Sequence, residues 1–209
     1  MRRARRGRLI ALEGIDGTGK STLVRGLAAA LRRRGYSVSV RREPTDGRLG
    51  RLAQEASVRD PWTGAIYFTV DRHLAQPAVR RELARRDFVL SDRSFFSTLA
   101  YQGSALPPAD RLRLERLQGG ASVRPDRVIL LDIPPAAAVG RVGRRSPRRA
   151  PLERRRTLER VAREYRRLSH RFGWVVLDAR RPRRELVAGA IAALGIDRSR
   201  PQRRAVPGR

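Results

Sequence analysis

The sequence predicts an α/β fold, a parallel sheet of five strands flanked by helices on both faces, and three observations predict it. Short apolar runs alternate with helical patterns along the chain. The first run leads straight into Gly14-Ile15-Asp16-Gly17-Thr18-Gly19-Lys20-Ser21, a full match to the phosphate-binding pattern G-x-x-x-x-G-K-[ST]. Charged residues of chemical interest gather just after the next runs, where an open parallel sheet presents ligands at the carboxyl ends of its strands.

Arg8 to Glu13 reads as a short buried strand, and Leu23, Val24, Leu27, Ala28 and Leu31 then recur at helical spacing until Gly35 supplies a stop. Tyr36 to Arg42 reads as a second strand of alternating character, and Phe88-Val89-Leu90 as a short buried third. Arg127 to Ile133 is the most continuous strand signal, and Trp174 to Leu177 the last. Helical patterns run from about Trp62 to Arg86, near Phe95 to Gly103, and through Leu158, Val161, Ala162, Tyr165 and Leu168. Leu186, Val187, Ala190, Ile191 and Leu194 make a final apolar face ended by Gly195. Residues 1–196 are thus expected to form a single domain. Residues 197–209, with arginine, proline and glycine and little apolar content, read as a disordered basic tail.

Strand, glycine-rich loop and helix is the setting the phosphate-binding motif requires, and this context argues against a chance match. Loop amides and the helix N-terminus converge on phosphates, and the Ser21 hydroxyl can reach a magnesium ion. Lys20 is the only lysine among 48 lysines and arginines. A chain that otherwise uses arginine has kept one compact ammonium where a slim cation must reach between phosphates. The motif points to a bound nucleoside triphosphate.

At 209 residues and 40% hydrophobic, the chain suits one compact enzyme. No apolar run approaches the roughly 18 residues of a membrane span. The basic Met1-Arg2-Arg3-Ala4-Arg5-Arg6 is followed by too short an apolar stretch for a signal peptide and is not expected to be a transit segment. Without cysteine there are neither disulfides nor zinc-thiolate sites, which is compatible with the cytoplasm. A net charge of +28 would ordinarily suggest nucleic acid. Here the arginines are spread along the chain without interleaved aromatics, so solvated helix faces and at most non-specific attraction to polyanions are expected.

Arg42-Glu43-Pro44 follows the second strand, Ser91-Asp92-Arg93 follows the third, and Phe68, Asp71 and Arg72 lie on the helix between them. With Glu13 to Thr22, Ser97, Ala100-Tyr101-Gln102, Pro125-Asp126 and Leu131-Asp132-Ile133-Pro134, these pieces resemble, in order and spacing, the thymidylate kinase family over about residues 8 to 194. The resemblance implies a P-loop NTPase fold with an arginine-rich lid at about 141–156. It further implies transfer of a phosphoryl group from ATP to dTMP with Mg2+, a homodimer and a cytoplasmic location.

The resemblance also assigns residues. Gly14, Ile15, Asp16, Gly17, Thr18, Gly19, Lys20, Ser21 and Thr22 would cradle ATP, Arg93 and Arg42 would hold the acceptor's phosphate, and Asp92 would sit with Ser21 near magnesium. Asp16 would accept a hydrogen bond from the sugar 3′-hydroxyl. Phe68 would stack on thymine and Arg72 bond the 4-carbonyl, with Ser97 and Thr98 near the base edge. Tyr101 and Gln102 would discriminate against a ribose 2′-hydroxyl. From spacing alone, Phe68 and Tyr101 read equally as core aromatics. Because the phosphate loop offers Gly17-Thr18 in place of an arginine, the lid would supply the catalytic cation from among Arg144, Arg145, Arg148 and Arg149, although the run also reads as a solvated basic loop. Ser94, Leu152 and Thr45-Asp46-Gly47 depart from the family's usual residues and leave the shape of the acceptor pocket open. Two alternatives stand beside this reading. One is another nucleotide or deoxynucleoside kinase on the same scaffold, and the other a non-catalytic ATP-dependent nucleic-acid binder, which would have no use for the Arg-Glu-Pro and Asp-Arg pieces.

Overall fold

The computed structural model describes residues 7–143 and 151–196. Five parallel strands, β1 (Arg8–Glu13), β2 (Val38–Arg42), β3 (Phe88–Asp92), β4 (Arg127–Asp132) and β5 (Val175–Asp178), form one sheet in the order β2-β3-β1-β4-β5. The helices are α1 (Lys20–Arg33), α2 (Arg48–Arg59), α3 (Pro61–Arg85), α4 (Phe95–Tyr101), α5 (Pro108–Ala121), α6 (Pro135–Gly143), α7 (Pro151–Phe172) and α8 (Arg183–Ala193). A 3₁₀ turn at Gly103–Ala105 follows α4.

Burial explains the strand patterns. Ile10, Ala11 and Leu12 of β1, Val89 and Leu90 of β3 and Ile129 to Leu131 of β4 are buried, because helices cover both faces of the central strands. β2 lies at an edge; Val38 is buried, and the residues after it alternate between half-buried and exposed. The register sets Leu12 and Arg42 level with Asp92, so the chain leaves β1, β2 and β3 at the same height. The loops that follow therefore meet above the carboxyl end of the sheet.

The strands and the five expected helices appear close to their expected places. β2 begins at Val38 because Tyr36 is instead packed against the core, its ring edge-on to Phe88 at 5.2 Å. The helix expected from Trp62 is α3, whose start is fixed by the Asp60 carboxylate accepting from the Thr63 amide at 2.6 Å and by Pro61 in the first turn. Helices α2, α5 and α6 gave no usable apolar period. α2 buries only Gly50 and Ala53, and α5 only Leu114 and Gln118.

Candidate active site

The phosphate loop wraps the end of β1 into α1. Gly14 has φ of 143° and lies so close to β4 that a Cβ there would stand 2.5 Å from the Leu131 carbonyl oxygen, a position only glycine fits. The N-terminus of α1 has no side-chain cap and no acidic residue in its first turn, so its leading amides are available to an anion. The Lys20 ammonium is buried and donates to the carbonyls of Gly14 at 3.0 Å and Ile15 at 2.9 Å. Burial lowers its pKa, and the charge of Arg93 lowers it further, against Asp16, Asp92 and Glu13, to about 8. The Ser21 hydroxyl donates to Asp92 at the end of β3. These two hard oxygen groups, from α1 and β3, fit Mg2+, which takes few protein ligands and completes its shell with water and phosphate oxygens. Among the described residues no group of three or more His, Cys, Asp or Glu forms a larger metal cage.

Beside the loop opens a cleft of about 260 Å³. It is lined by Asp16, Arg42, Glu43, Phe68, Arg72, Arg93, Ser97, Thr98, Tyr101 and Gln102, so every residue assigned to the acceptor meets here. Phe68 belongs to neither buried hydrophobic cluster and faces the cleft, which removes the core reading for it. Tyr101 does both: it packs on the core and lines the cleft. Arg42 is well exposed and pairs with Asp46 at 3.2 Å.

Arg93 sits at the junction of loop and cleft. Its guanidinium pairs with Asp16 and donates to Ser97 at 3.0 Å, Tyr165 at 3.3 Å and Tyr101 at 3.4 Å. The Tyr101 hydroxyl in turn accepts from the Asp16 amide at 3.1 Å. Burial alone would raise the Asp16 carboxyl, but Arg93 and Lys20 outweigh it and hold the pKa below the usual aspartate value. Beneath Arg93 lies Glu13, fully buried and accepting from the hydroxyls of Ser94 at 2.7 Å, Ser97 at 2.6 Å and Tyr165 at 2.9 Å.

Several of these groups carry no role in the sequence reading. Glu13, a carboxylate closing an apolar strand, was a visible signal. Gln54 and Ser57 line the cleft from α2, a helix the apolar pattern did not reveal. Gln118, wholly buried on α5, gave none. Arg144, Arg145, Arg148 and Arg149 of the expected lid lie outside the described residues, as does the tail from 197.

Comparison with known proteins agrees with this geometry. A family model described as thymidylate kinase matches residues 12–190. A thymidylate kinase of Xanthomonas euvesicatoria is 40% identical over 162 residues, covering 74% of this chain and 69% of that protein. Proteins named "Probable thymidylate kinase" from Pyrobaculum calidifontis and Metallosphaera sedula are 35% and 33% identical, over 88% and 86% of this chain and 94% and 88% of their own length. With the phosphate loop, the parallel sheet and the arginine-lined cleft, these matches establish that the chain belongs to the thymidylate kinase family.

Proposed function

We propose that this chain transfers the γ-phosphoryl group of ATP to dTMP, giving ADP and dTDP for the synthesis of dTTP. The observation that carries this reading is the junction itself. Arg93 touches both the phosphate loop, through Asp16, and the cleft, so donor and acceptor phosphates would meet at one cation. Phosphoryl transfer asks a protein mostly for positioning and charge stabilisation.

In this reading the amides of residues 14 to 22 and the Lys20 ammonium hold the donor phosphates. Ser21 and Asp92 would hold Mg2+, which would supply positive charge against the negative charge of the phosphates. Arg93 and Arg42 bind the acceptor phosphate, and Asp16 accepts from the 3′-hydroxyl. Phe68 stacks on the base while Arg72 donates to its 4-carbonyl, where cytosine would present an amino group, donor against donor. Ser97 and Thr98 border the base, and Tyr101 and Gln102 crowd the place of a 2′-hydroxyl. The lid cations, Arg144, Arg148 and Arg149 among them, are proposed from the family pattern to act in the transition state.

A single domain, a cytoplasmic location and a homodimer belong to the same proposal. No helix among the described residues is long and apolar enough to cross a membrane. Ile66, Val70 and Leu74 stand exposed at four-residue intervals on α3, a stripe that a second copy would cover. The decisive experiment measures ADP release with each nucleoside monophosphate as acceptor. dTMP should lead, with dUMP next and dCMP far behind. Preference for another acceptor would make the chain a different nucleotide kinase, and no ADP release with any acceptor beside ATP-dependent binding of nucleic acid would favour the binding reading.

A further inference from the structure

We propose that Gln118 of α5 is a positioning residue that sets the direction in which Arg72 presents its free donors to the acceptor's base. The inference rests on the dTMP reading of the cleft. Arg72 is 4% exposed and Gln118 0%. Arg72 Nη1 donates to Gln118 Oε1 at 2.5 Å, Gln118 Nε2 donates to Thr69 Oγ1 at 2.6 Å, and the Thr69 hydroxyl donates to the Ala65 carbonyl at 2.7 Å. A guanidinium only donates, so the amide oxygen of Gln118 must face it. The chain of bonds therefore runs one way, from Arg72 to the α3 backbone. A flipped amide would set donor against donor.

Two further contacts complete the frame. Glu43 accepts from Arg72 Nε at 2.6 Å and Thr98 from Nη2 at 3.0 Å. Three of the five N–H groups of the planar guanidinium are thus held from three directions, by α5, by the segment after β2 and by α4. One N–H on each terminal nitrogen remains for the cleft that Arg72 lines. Without Gln118 a buried N–H would lose its acceptor, and the group would pivot about Glu43 to find another. The donors would then leave the place of the 4-carbonyl while every residue lining the cleft remained.

The test compares Gln118→Leu with Gln118→Glu, reading kcat/KM for dTMP and dCMP together with thermal melting. Gln118→Leu should lower the dTMP-to-dCMP ratio about tenfold, through the dTMP KM with kcat within about threefold. Gln118→Glu should keep the ratio, because one carboxylate oxygen accepts from Arg72 and the other from a turned Thr69 hydroxyl. If Gln118→Leu does not fold, Thr69→Val frees the far end of the amide and should shift the ratio in the same direction. An unchanged ratio in Gln118→Leu, or in Thr69→Val where that variant stands in, overturns the proposal. So does a ratio in Gln118→Glu that falls as far as in Gln118→Leu. A wild type without preference for dTMP overturns the acceptor assignment and the role of Gln118 with it, whereas a selective wild type with indifferent variants overturns the role alone.

Discussion

Arg93 and Asp16 pair directly across the mouth of the cleft, joining the end of β3 to the phosphate loop 77 residues earlier. Arg93 adopts φ of 77°, rare outside glycine, and is held there by its amide donating to Leu12 at 3.0 Å and its carbonyl accepting from Ser91 at 2.6 Å. Such a conformation persists only where the surroundings over-determine it, and it sets one guanidinium between the phosphate loop and the cleft.

Arg93→Lys should therefore be nearly as damaging as removal of the charge. A lysine ammonium has three donors at one point and cannot reach Asp16, Ser97 and Tyr101 together. We expect kcat/KM for dTMP to fall about 10²-fold or more, in line with loss of a preorganised donor, with folding intact by thermal melting. Wild-type turnover in this variant would refute the junction role.

Lys20 gives the site a pH signature. Its pKa of about 8 means that the free enzyme loses the ammonium as the pH rises past that value. ATP affinity should weaken above about pH 8, and binding there should take up a proton as the phosphates restore the charge. Stability moves the other way, since between 8 and 10.5 the unfolded chain holds the extra proton and the folded state gains as pH rises. Weakened binding is thus separable from unfolding. Calorimetry in two buffers of different ionisation enthalpy reads the proton uptake, and affinity that is flat across about pH 7 to 9.5 would sink the assignment. Lys20→Arg should abolish transfer at any pH, because the bulkier fork does not fit the ammonium's place.

What the sequence revealed and what it hid follow from where information is stored. The phosphate loop is local: eight consecutive residues specify a backbone shape and a cation, so Gly14 to Ser21 were readable outright. Phe68, Arg72 and Arg93 were readable only as an ordered set, since each alone could serve the core or the surface. Helix α2 was invisible because it buries a glycine and an alanine, which carry almost no hydrophobic signal. Gln118 was invisible for a different reason. Its partners Arg72 and Thr69 lie on another helix more than forty residues away, and nothing in the residues around it marks it as polar and buried.

The contact of α2 with the cleft loop yields a geometric prediction. A Cβ on Gly50 would stand 2.0 Å from the Thr45 carbonyl oxygen, in the segment that the Asp71 carboxylate fixes through the Thr45 amide at 2.8 Å. Gly50→Ala should push that segment and Glu43 away, raising the dTMP KM severalfold while leaving ATP affinity unchanged. Gly119→Ala is the control. It meets nothing within 4 Å on α5 and should stabilise by about 0.5–1 kcal/mol. Equal dTMP KM values in both variants would show that α2 does not support the cleft.

Glu13 tests the layer beneath Arg93. Burial raises its pKa above 4.5, against the hydrogen bond from Ser97, the charge of Arg93 and the hydroxyls of Ser94 and Tyr165. Between the unfolded and the folded pKa the native state binds the extra proton, so the Glu13 contribution is full below about pH 4.5 and is lost as pH rises through the folded value. Glu13→Gln has the same shape and no titration; its amide oxygen can keep the bond from Ser94 while the Ser97 and Tyr165 hydroxyls turn to accept from its nitrogen. The stability of the variant relative to wild type should accordingly climb as the pH is raised from about 4.5 toward neutrality, as read by denaturant unfolding of both proteins in the same buffers. Activity should move oppositely at neutral pH, because Ser97 and Tyr165 hold Arg93 and their reorientation loosens it. A relative stability that falls over that range would mean that pairing with Arg93 outweighs burial and that Glu13 is ionised in the native protein throughout.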